Sequence, residues 1–248
     1  MKILVCISSV PDTTAKINFT ADKSAFDKNG IQWVINPLDE FALTKAIKLQ
    51  ETQGATVTVI NVGDATTEPV VRKALAIGAN DAVRVNVEPK DSFSAAKEIA
   101  KIAQEGGYDL IIAGKESIDY NGGAVPGMVA QLLNQPFVNA CVGLEVNGGE
   151  ATAVREIEGG KETISVKLPA VIAGQKGMVE EKDLIIPNMR GIMSARTKPL
   201  QVVEPSSSEV KVEAVSFDSV PARAAVKLVS PDNLDELVRL LHEEAKVI

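Results

Sequence analysis

The stretch "YDLIIAGKESIDYNGGAVPGMVAQLL", residues 108–133, decides the fold class. It passes from an apolar strand that ends at Gly114, through small and polar residues, into a helix whose first turn contains Pro126. Gly122 and Gly123 lie just before that helix and leave its first N–H groups open to an anion. The stretch predicts a strand–loop–helix unit of an α/β sheet. Its loop either holds a phosphate or is a turn without a ligand.

The same alternation of strand and helix fills the chain before this stretch. Apolar runs predict strands within residues 2–8, 55–63, 82–87 and 108–114. Predicted helices lie between them, within residues 37–50, 66–79 and 91–106. Asn36 can cap the first of these helices, with Pro37 at its first position. The pattern predicts a parallel sheet covered by helices on both faces.

A parallel sheet of this kind predicts where a ligand binds. Ligands bind beyond the carboxyl ends of the strands, where the strand order reverses. The predicted site therefore combines the loops after the first, second and fourth strands with the helix start at Asn36. Neither Gly-x-Gly-x-x-Gly nor Gly-Lys-Ser/Thr occurs before a helix, which argues against a dinucleotide site and a triphosphatase. A mononucleotide remains possible.

The pattern changes after residue 133. The stretch "ATAVREIEGGKETISVKLPAVIAG", residues 151–174, has two alternating runs around Glu158-Gly159-Gly160, which predicts an antiparallel hairpin. Residues 175–199 show no regular period, and the following stretch to about residue 217 is extended and rich in serine.

The chain ends in a predicted helix within residues 230–246. Ser230 can cap it and Pro231 suits its first position. Its apolar stripe consists of Leu234, Leu237, Val238 and Leu241. The last fifty residues have so little core of their own that we expect them to lie on this domain or on a partner.

Composition excludes several functions. A net charge of −7 argues against nucleic acid as a partner. Cys6 and Cys141 both lie in apolar runs and are expected to be buried thiols rather than a disulfide framework. The single histidine, His242, lies on a late helix near the C-terminus, which argues against a His-based catalytic triad, and no Cys/His spacing resembles a zinc site. The first apolar run is too short for a signal core or a membrane span, so we expect a cytoplasmic protein without membrane insertion.

The hairpin stretch carries a family resemblance. In "AVREIEGGKETISVKLPAVIA", residues 153–173, Arg155 is followed by the Glu158-Gly159-Gly160 run, then Glu162 and Pro169. This order resembles the signature of electron transfer flavoprotein beta subunits. Four further stretches resemble the same family: "INPLDEFAL" (35–43), "RKALAIGAN" (72–80), "GKESIDYN" (114–121) and "GIMSARTKP" (191–199).

The resemblance implies a fold and a division of the chain. The fold is Rossmann-like, of the adenine nucleotide alpha hydrolase-like kind, with an antiparallel hairpin addition and an extended C-terminal arm. Residues 1–199 form a nucleotide-binding α/β domain that includes a recognition loop at 174–199. Residues 200–248 form an arm and a helix that pack on the alpha subunit.

The resemblance also implies a function as one half of a heterodimer that carries electrons. The chain is then an electron carrier subunit with no catalytic residues and no metal. FAD is held mainly by the alpha subunit. Electrons come from acyl-CoA and related dehydrogenases and leave through electron transfer flavoprotein-quinone oxidoreductase to the respiratory chain.

The beta subunit is implied to bury an AMP that has no redox role. Carried over by position, its contacts are Cys6, Asn36, Pro37, Leu38, Asp39, Val62, Gly114, Lys115, Glu116, Ser117, Ile118, Asp119, Tyr120, Asn121, Gly122, Gly123, Ala124 and Val125. These are the loops that the parallel-sheet argument selects independently.

Three departures from the family pattern bear on the site. Ala124-Val125-Pro126 replaces Gln-Thr/Val-Gly, which removes a side-chain amide and one N–H donor, so backbone amides of residues 121–125 must bind more of the phosphate. The Asp-Gly-Asp-Thr-Ala-Gln loop of bifurcating members is absent, which favours AMP over a second FAD. Thr13 lies where some members have a tyrosine near the flavin, and we assign it no flavin contact.

The resemblance implies one partner-recognition residue. Pro187-Asn188-Met189-Arg190 replaces the family's Pro-x-Leu-Pro, so Met189 takes the place of the leucine that anchors partner dehydrogenases. Alternatively, Met189 packs against its own chain. Three rival functions remain: a bifurcating beta subunit with a second FAD, a stand-alone adenine-nucleotide-binding stress protein, and an ATP-using enzyme of similar fold.

Overall fold

A computed structural model describes residues 1–223 and 225–248, which divide into two units. The larger unit comprises residues 1–17 and 28–215, and the smaller unit comprises residues 18–27 and 216–248.

The larger unit is built around a nine-stranded sheet and a separate two-stranded ribbon. Its strands are β1 (Lys2–Cys6), β2 (Ser9–Pro11), β3 (Trp33–Ile35), β4 (Thr56–Val62), β5 (Asp81–Val85), β6 (Leu110–Gly114), β7 (Phe137–Asn147), β8 (Glu150–Ile157), β9 (Gly160–Lys167), β10 (Ala170–Gly174) and β11 (Leu200–Val203). Its helices are α1 (Pro37–Gln53), α2 (Glu68–Ile77), α3 (Ser92–Gly106), α4 (Val125–Leu133) and α5 (Met189–Ala195).

The strand order in the large sheet is β11-β5-β4-β1-β6-β10-β7-β8-β9. Every pair from β11 to β7 is parallel, and the last two pairs are antiparallel. β2 and β3 form the antiparallel ribbon. The predicted fold class, a parallel α/β sheet with an antiparallel hairpin addition, is confirmed. The chain extends the sheet in one direction from β1 to β5 and then returns to place β6 on the other side of β1, so the strand order reverses at β1.

Two apolar clusters cover the two faces of this sheet. One packs α1 and α2 against alternate residues of the central strands, including Ile3 and Val5 of β1. The other packs α3 and α4 against the opposite residues, including Leu4 and Cys6. Successive strand residues point to opposite faces, so the unbroken apolar runs of the sequence follow from burial on both sides.

Short-range sequence signals correctly predict several helix ends. Asp91 caps α3 in a capping box with Ser94, and Gly78 closes α2. α1 begins at Pro37, as predicted, and ends at Gln53, followed by Gly54, whose φ of +66° suits glycine.

The predicted hairpin is confirmed, because β8 and β9 pair antiparallel on either side of Glu158 and Gly159. The stretch that predicted it extends too far, since its last part is β10, a separate strand that pairs in parallel with β6 on one side and β7 on the other. All five residues of β10 are buried, which suits a central strand rather than a hairpin arm. Residues 175–199 are not wholly irregular, because Asn188 accepts a hydrogen bond from the Gly191 amide and caps α5.

The start of the predicted arm contributes to the sheet. β11 pairs in parallel with β5, and the larger unit continues to residue 215. The division at residue 199 and the packing of residues 200–248 on an alpha subunit stay predictions.

The smaller unit contains an aromatic stack and the C-terminal helix. The rings of Phe19 and Phe217 stack with centroids 5.3 Å apart. The helix α6 (Leu234–Arg239) begins later than predicted, because Asn233 rather than Ser230 caps it. Ser230 instead closes the preceding turn by accepting hydrogen bonds from the amides of Asp232 and Asn233.

The apolar stripe of this helix is largely solvent-exposed. Leu234, Leu237 and Val238 are all exposed on α6. Among the described residues, no helix combines the length and apolar character needed to cross a membrane.

Candidate functional site

The candidate site lies at the carboxyl edge of the parallel sheet, where the strand order reverses. β1 ends there at Cys6, β4 at Val62 and β6 at Gly114. The start of α1 and the loop 115–124 lie at the same edge, since hydrogen bonds join them to the residues after β1 and β6.

Asp39 joins the two strands on either side of the reversal. Its carboxylate is buried, with 3% of the residue exposed. One oxygen accepts the Ser8 amide at 2.8 Å, and the other accepts the Gly114 amide at 2.8 Å. Asp39 lies in the first turn of α1, where a negative charge also balances the positive end of the helix. One side chain therefore fixes the ends of β1 and β6 relative to α1.

Burial controls the ionisation of this carboxyl group. Removal from water raises the pKa of Asp39 to about 7, although hydrogen bonds from Ser8, Asn36 and Gly114 act in the opposite direction. Burial, and then the nearby charge of Asp39, raises the pKa of the Cys6 thiol well above its usual range. Cys6 is therefore a neutral, apolar part of the wall rather than a reactive thiolate.

Gly114 is required by its close contact with α1. A Cβ at this position would lie 2.4 Å from the Asp39 Oδ1 atom and 2.9 Å from Leu38 Cβ. The glycine allows the end of β6 to approach the start of α1, which brings the Gly114 amide to the Asp39 carboxylate.

Asn36 occupies the N-cap position of α1 but makes no side-chain cap. Its Nδ2 donates to the Glu116 carbonyl at 2.9 Å, and its Oδ1 accepts the Ile118 amide at 3.2 Å. The predicted capping role is wrong, because the Nδ2 and Oδ1 atoms of the Asn36 side chain both bond the loop after β6 instead of an amide of α1. Asn36 holds that loop against the start of α1.

The loop between β6 and α4 is folded on itself. Ser117 and Gly122 exchange two backbone hydrogen bonds, of 3.0 and 3.2 Å. Asn121 adopts a left-handed conformation, with a φ of +53°, which asparagine tolerates. The Asp119 carboxylate accepts the Ser117 hydroxyl and the Tyr120 amide. The Ser117 hydroxyl and the Gly122 amide are therefore occupied within the loop.

Three consecutive amides at the start of α4 have no partner. Within the part of the chain that the structure describes, no hydrogen bond uses the N–H groups of Gly123, Ala124 or Val125. Gly123 and Ala124 are exposed. Pro126, next in sequence, has no N–H to offer. Unpaired N–H groups at the positive end of a helix suit an anion such as a phosphate.

An apolar wall adjoins this helix start. Cys6 belongs to the apolar cluster on the α3 and α4 face, and Val62 and Val125 pack against that cluster. The Asn61 side chain donates to the Ile7 carbonyl at 2.8 Å and so ties the end of β4 to the chain after β1. An apolar surface beside anion-binding amides is the arrangement that a nucleotide needs, so the residues present fit an AMP.

The structure thus brings most of the predicted site residues to one edge, but Met189 lies elsewhere. Met189 is the first residue of α5, and it is 73% exposed. α5 packs closely on α2, because a Cβ at Gly191 would lie 2.4 Å from the Ala76 carbonyl oxygen. Met189 is therefore not buried among the described residues.

Sequence reasoning missed two backbone contributors to the site. The Ser8 amide binds Asp39, and the Gly174 carbonyl at the end of β10 accepts the Lys115 amide at 2.7 Å. The apolar run "PAVIAG", closed by Gly174, was the signal for a further parallel strand beside β6.

Comparison with known proteins gives one family. The family profile described as "Electron transfer flavoprotein domain" matches residues 24–208. The chain is 34% identical to the electron transfer flavoprotein subunit beta of Bacillus subtilis (strain 168), over the full length of both proteins. It is 36% identical to the subunit beta of Syntrophomonas wolfei over 91% of this chain and 88% of that protein.

A more distant relative extends the same likeness. The human electron transfer flavoprotein subunit beta is 29% identical over 100% of this chain and 99% of its own length. The chain belongs to the electron transfer flavoprotein family, among its beta subunits.

Proposed function

We propose that this chain pairs with an electron transfer flavoprotein alpha subunit and binds a structural AMP at the carboxyl edge of its sheet. The observation that carries the AMP proposal is the run of three unpartnered amides at Gly123, Ala124 and Val125, next to an apolar wall. AMP supplies no redox chemistry there. It satisfies polar groups of the crevice and stabilises the folded subunit that binds it.

Different residues of the chain contact different parts of the nucleotide in this proposal. The amides of Gly123 to Val125 bind the phosphate, and Cys6, Val62 and Val125 form the apolar side. The positive end of α1 already contains the buried Asp39 carboxylate, which leaves the start of α4 for the phosphate. Asn36 and Asp39 hold the crevice in shape through Glu116, Ile118, Ser8 and Gly114.

The electron-carrying role requires no acid, base or nucleophile from this chain. FAD, held mainly by the alpha subunit, performs the redox chemistry, and the protein supplies binding and orientation. In the proposed route, acyl-CoA and related dehydrogenases reduce the flavin, and a quinone oxidoreductase reoxidises it. A cytoplasmic location remains a prediction.

The proposed contact with dehydrogenases is an exposed apolar surface on and before α5. It consists of Ile186, Met189, Ile192 and Met193, all exposed, and is termed the α5 patch. Met189, Ile192 and Met193 follow helical spacing and share one side of α5. Exposed apolar groups concentrated in eight residues are a hallmark of a protein-binding surface, and flexible methionines adapt to several partners.

A count of bound nucleotides tests the proposal. The full chain is co-expressed with an alpha subunit, the complex is purified, and acid extraction releases FAD and AMP for quantification. We expect one FAD and one AMP per heterodimer. Two FAD and no AMP would identify a bifurcating subunit, and a nucleotide-loaded chain that never associates with the alpha subunit would indicate a stand-alone nucleotide-binding protein.

A further inference from the structure

The segment 204–212, which follows β11, is attached to α3 mainly through its own backbone. Two carboxylates of the α3 region, Glu98 and Asp91, accept four of its amide hydrogens. The segment ends three residues before the boundary of the larger unit at residue 215. Both the carboxylates and the segment belong to that unit.

Glu98 is the more deeply buried of the two carboxylates, with 3% of the residue exposed. Its Oε1 atom accepts the Ser206 amide at 2.9 Å, the Ser206 hydroxyl at 2.9 Å and the Ser207 amide at 3.0 Å. Its Oε2 atom accepts the Ser206 amide at 3.0 Å. Two successive backbone amides therefore converge on one carboxylate, as they do in anion-binding backbone turns.

No cation within the described residues lies at ion-pair distance from Glu98. A buried carboxylate without a cation or hydrogen bonds is strongly unfavourable. The hydrogen bonds from Ser206 and Ser207 are thus the interactions that stabilise the buried Glu98 carboxylate. If segment 204–212 separates from α3, Glu98 loses all of these hydrogen-bond donors at once.

Asp91 provides the second attachment. Its Oδ2 atom accepts the amides of Lys211 and Val212 at 2.7 and 3.0 Å, while its Oδ1 atom caps α3 through Ser94 at 2.7 Å. Burial acts to raise the pKa of Asp91, but hydrogen bonds from Ser94, Lys211 and Val212 outweigh it and lower the pKa to about 2. The carboxylate stays ionised, and able to accept these bonds, at any physiological pH.

Apart from the Ser206 and Ser207 hydroxyls, which bond Glu98 and Lys97, side chains of the segment add exposed contacts. Lys97 pairs with Glu209 at 2.8 Å, and the Lys211 ammonium lies 5.1 Å from the centroid of the Phe93 ring. Exposed pairs of this kind contribute little to stability. The attachment therefore depends on the backbone of residues 206–212 and on the two carboxylates.

We propose that Glu98 and Asp91 form a two-point latch that fixes residues 204–212 on α3 and thereby sets where the chain leading to residues 216–248 leaves the larger unit. Both are positioning residues, and they act mainly on the backbone amides of the segment. The latch is independent of whether AMP or a dehydrogenase binds.

Limited trypsin digestion of the full chain tests the latch. Lys211 lies inside the latched segment, and Lys227 lies beyond it and serves as an internal reference site. We expect Glu98→Ala to speed cleavage after Lys211 by about tenfold or more, because cleavage requires local opening of the segment. Cleavage after Lys227 should change by less than about twofold.

Two further variants make the result specific. Glu105→Ala removes an exposed carboxylate from the same helix and should leave cleavage after Lys211 unchanged. Glu98→Gln keeps the side-chain shape and one carbonyl acceptor, so it should open the segment less than Glu98→Ala does. Hydrogen exchange at the Ser206 and Ser207 amides should accelerate in the same order.

Equal cleavage after Lys211 in the parent chain and in both Glu98 variants would overturn the proposal. Acceleration after Lys211 and Lys227 by the same factor would also overturn it, because that result means general unfolding rather than release of the segment. If Glu98→Ala yields no folded protein, Glu98→Gln decides between these outcomes.

Discussion

At the residue scale, Asp39 shows what a sequence can and cannot predict. Its place in the first turn of α1 follows from the Asn-Pro helix start, which is a local signal. Its burial and its bonds to Ser8 and Gly114 do not, since these partners are 31 and 75 residues away. The same limit explains why Asn36 was expected to cap α1 and instead binds the loop at Glu116 and Ile118.

The raised pKa of Asp39 predicts a specific dependence of stability on pH. The ordinary pKa of 3.8 applies to the unfolded chain, and about 7 applies to the folded one. Between these values the folded state retains a proton that the unfolded state has lost, so stability falls as pH rises from about 4 to about 7. Each pKa unit corresponds to about 1.4 kcal/mol, which sets an upper bound of about 4 kcal/mol.

Asp39→Asn removes this titration and tests it. The variant loses one acceptor for a buried amide, which costs about 1–3 kcal/mol at every pH. We expect it to be less stable than the parent chain at pH 4.5, with a gap that narrows towards pH 7. Urea titrations of both full-length chains at several pH values measure the gap. A gap that stays constant or widens with pH would show that the pKa of Asp39 in the folded chain is at or below its ordinary value.

A substitution at Gly123 tests AMP binding separately from folding. A Cβ at Gly123 lies 3.4 Å from its nearest neighbour, the Lys115 carbonyl oxygen, which is an ordinary contact distance that requires no shift of the loop. Its methyl groups would crowd the approach to the amides of residues 123–125. The loss of one charge-assisted hydrogen bond costs about 1.5–3 kcal/mol, so Gly123→Val should weaken AMP binding about ten- to a hundredfold.

Acid extraction of the purified Gly123→Val complex measures its AMP content. Gly160→Val is the matched control, because a Cβ there has no neighbour within 4 Å and Gly160 lies at the tip of the β8–β9 hairpin. Full AMP occupancy in Gly123→Val, with both variants folded, would mean that the start of α4 does not bind the phosphate.

At the element scale, alternation predicted most of the parallel sheet. The order of strand and helix through α4 came from apolar runs and end signals that act within a few residues, such as Asp91 before α3. Elements that depend on distant partners were missed or misplaced. β10 reads as the end of the hairpin stretch until its pairing with β6, sixty residues earlier in the chain, is known. α5 has seven residues, too few for a helical period to stand out.

The α5 patch yields a prediction about electron entry. Met189→Ala removes an apolar side chain that is largely exposed, so the fold and bound FAD should be unaffected. Truncating a central interface residue costs about 1–2 kcal/mol, which lowers the efficiency of reduction by a dehydrogenase about tenfold.

Steady-state reduction of the complex by an acyl-CoA dehydrogenase, at several concentrations of complex, measures this efficiency. Ile157→Ala is the control, since Ile157 is an exposed apolar residue on β8 rather than α5. If the two variants transfer electrons equally well, the α5 patch does not bind the dehydrogenase.

At the scale of the whole molecule, the parallel sheet explains why one edge collects so many of the predicted residues. Parallel strands present all their carboxyl ends to the same side, so loops far apart in sequence meet there, and the strand order reverses at β1 among them. The edge where these residues meet could be predicted for this reason, although their individual hydrogen bonds could not. What the strand order cannot supply is the identity of the ligand, which depends on the free amides of α4 and the adjoining apolar wall.

If AMP binds only the folded state, as proposed, AMP should stabilise the complex against unfolding. A ligand at a hundred times its dissociation constant adds about 2.7 kcal/mol to the free energy of unfolding. Complex stripped of nucleotide by gentle unfolding and refolded with FAD alone should therefore melt at a lower temperature than complex refolded with FAD and AMP. The difference should grow with the logarithm of the AMP concentration, because the unfolded chain has no site that binds AMP.

Inorganic phosphate is the informative comparison for this experiment. It can bind the amides of Gly123 to Val125 but is too small to contact Cys6 or Val62, so it should raise the melting temperature less than AMP does. If added AMP leaves the melting temperature of the FAD-loaded complex unchanged, the free amides at the start of α4 serve no nucleotide.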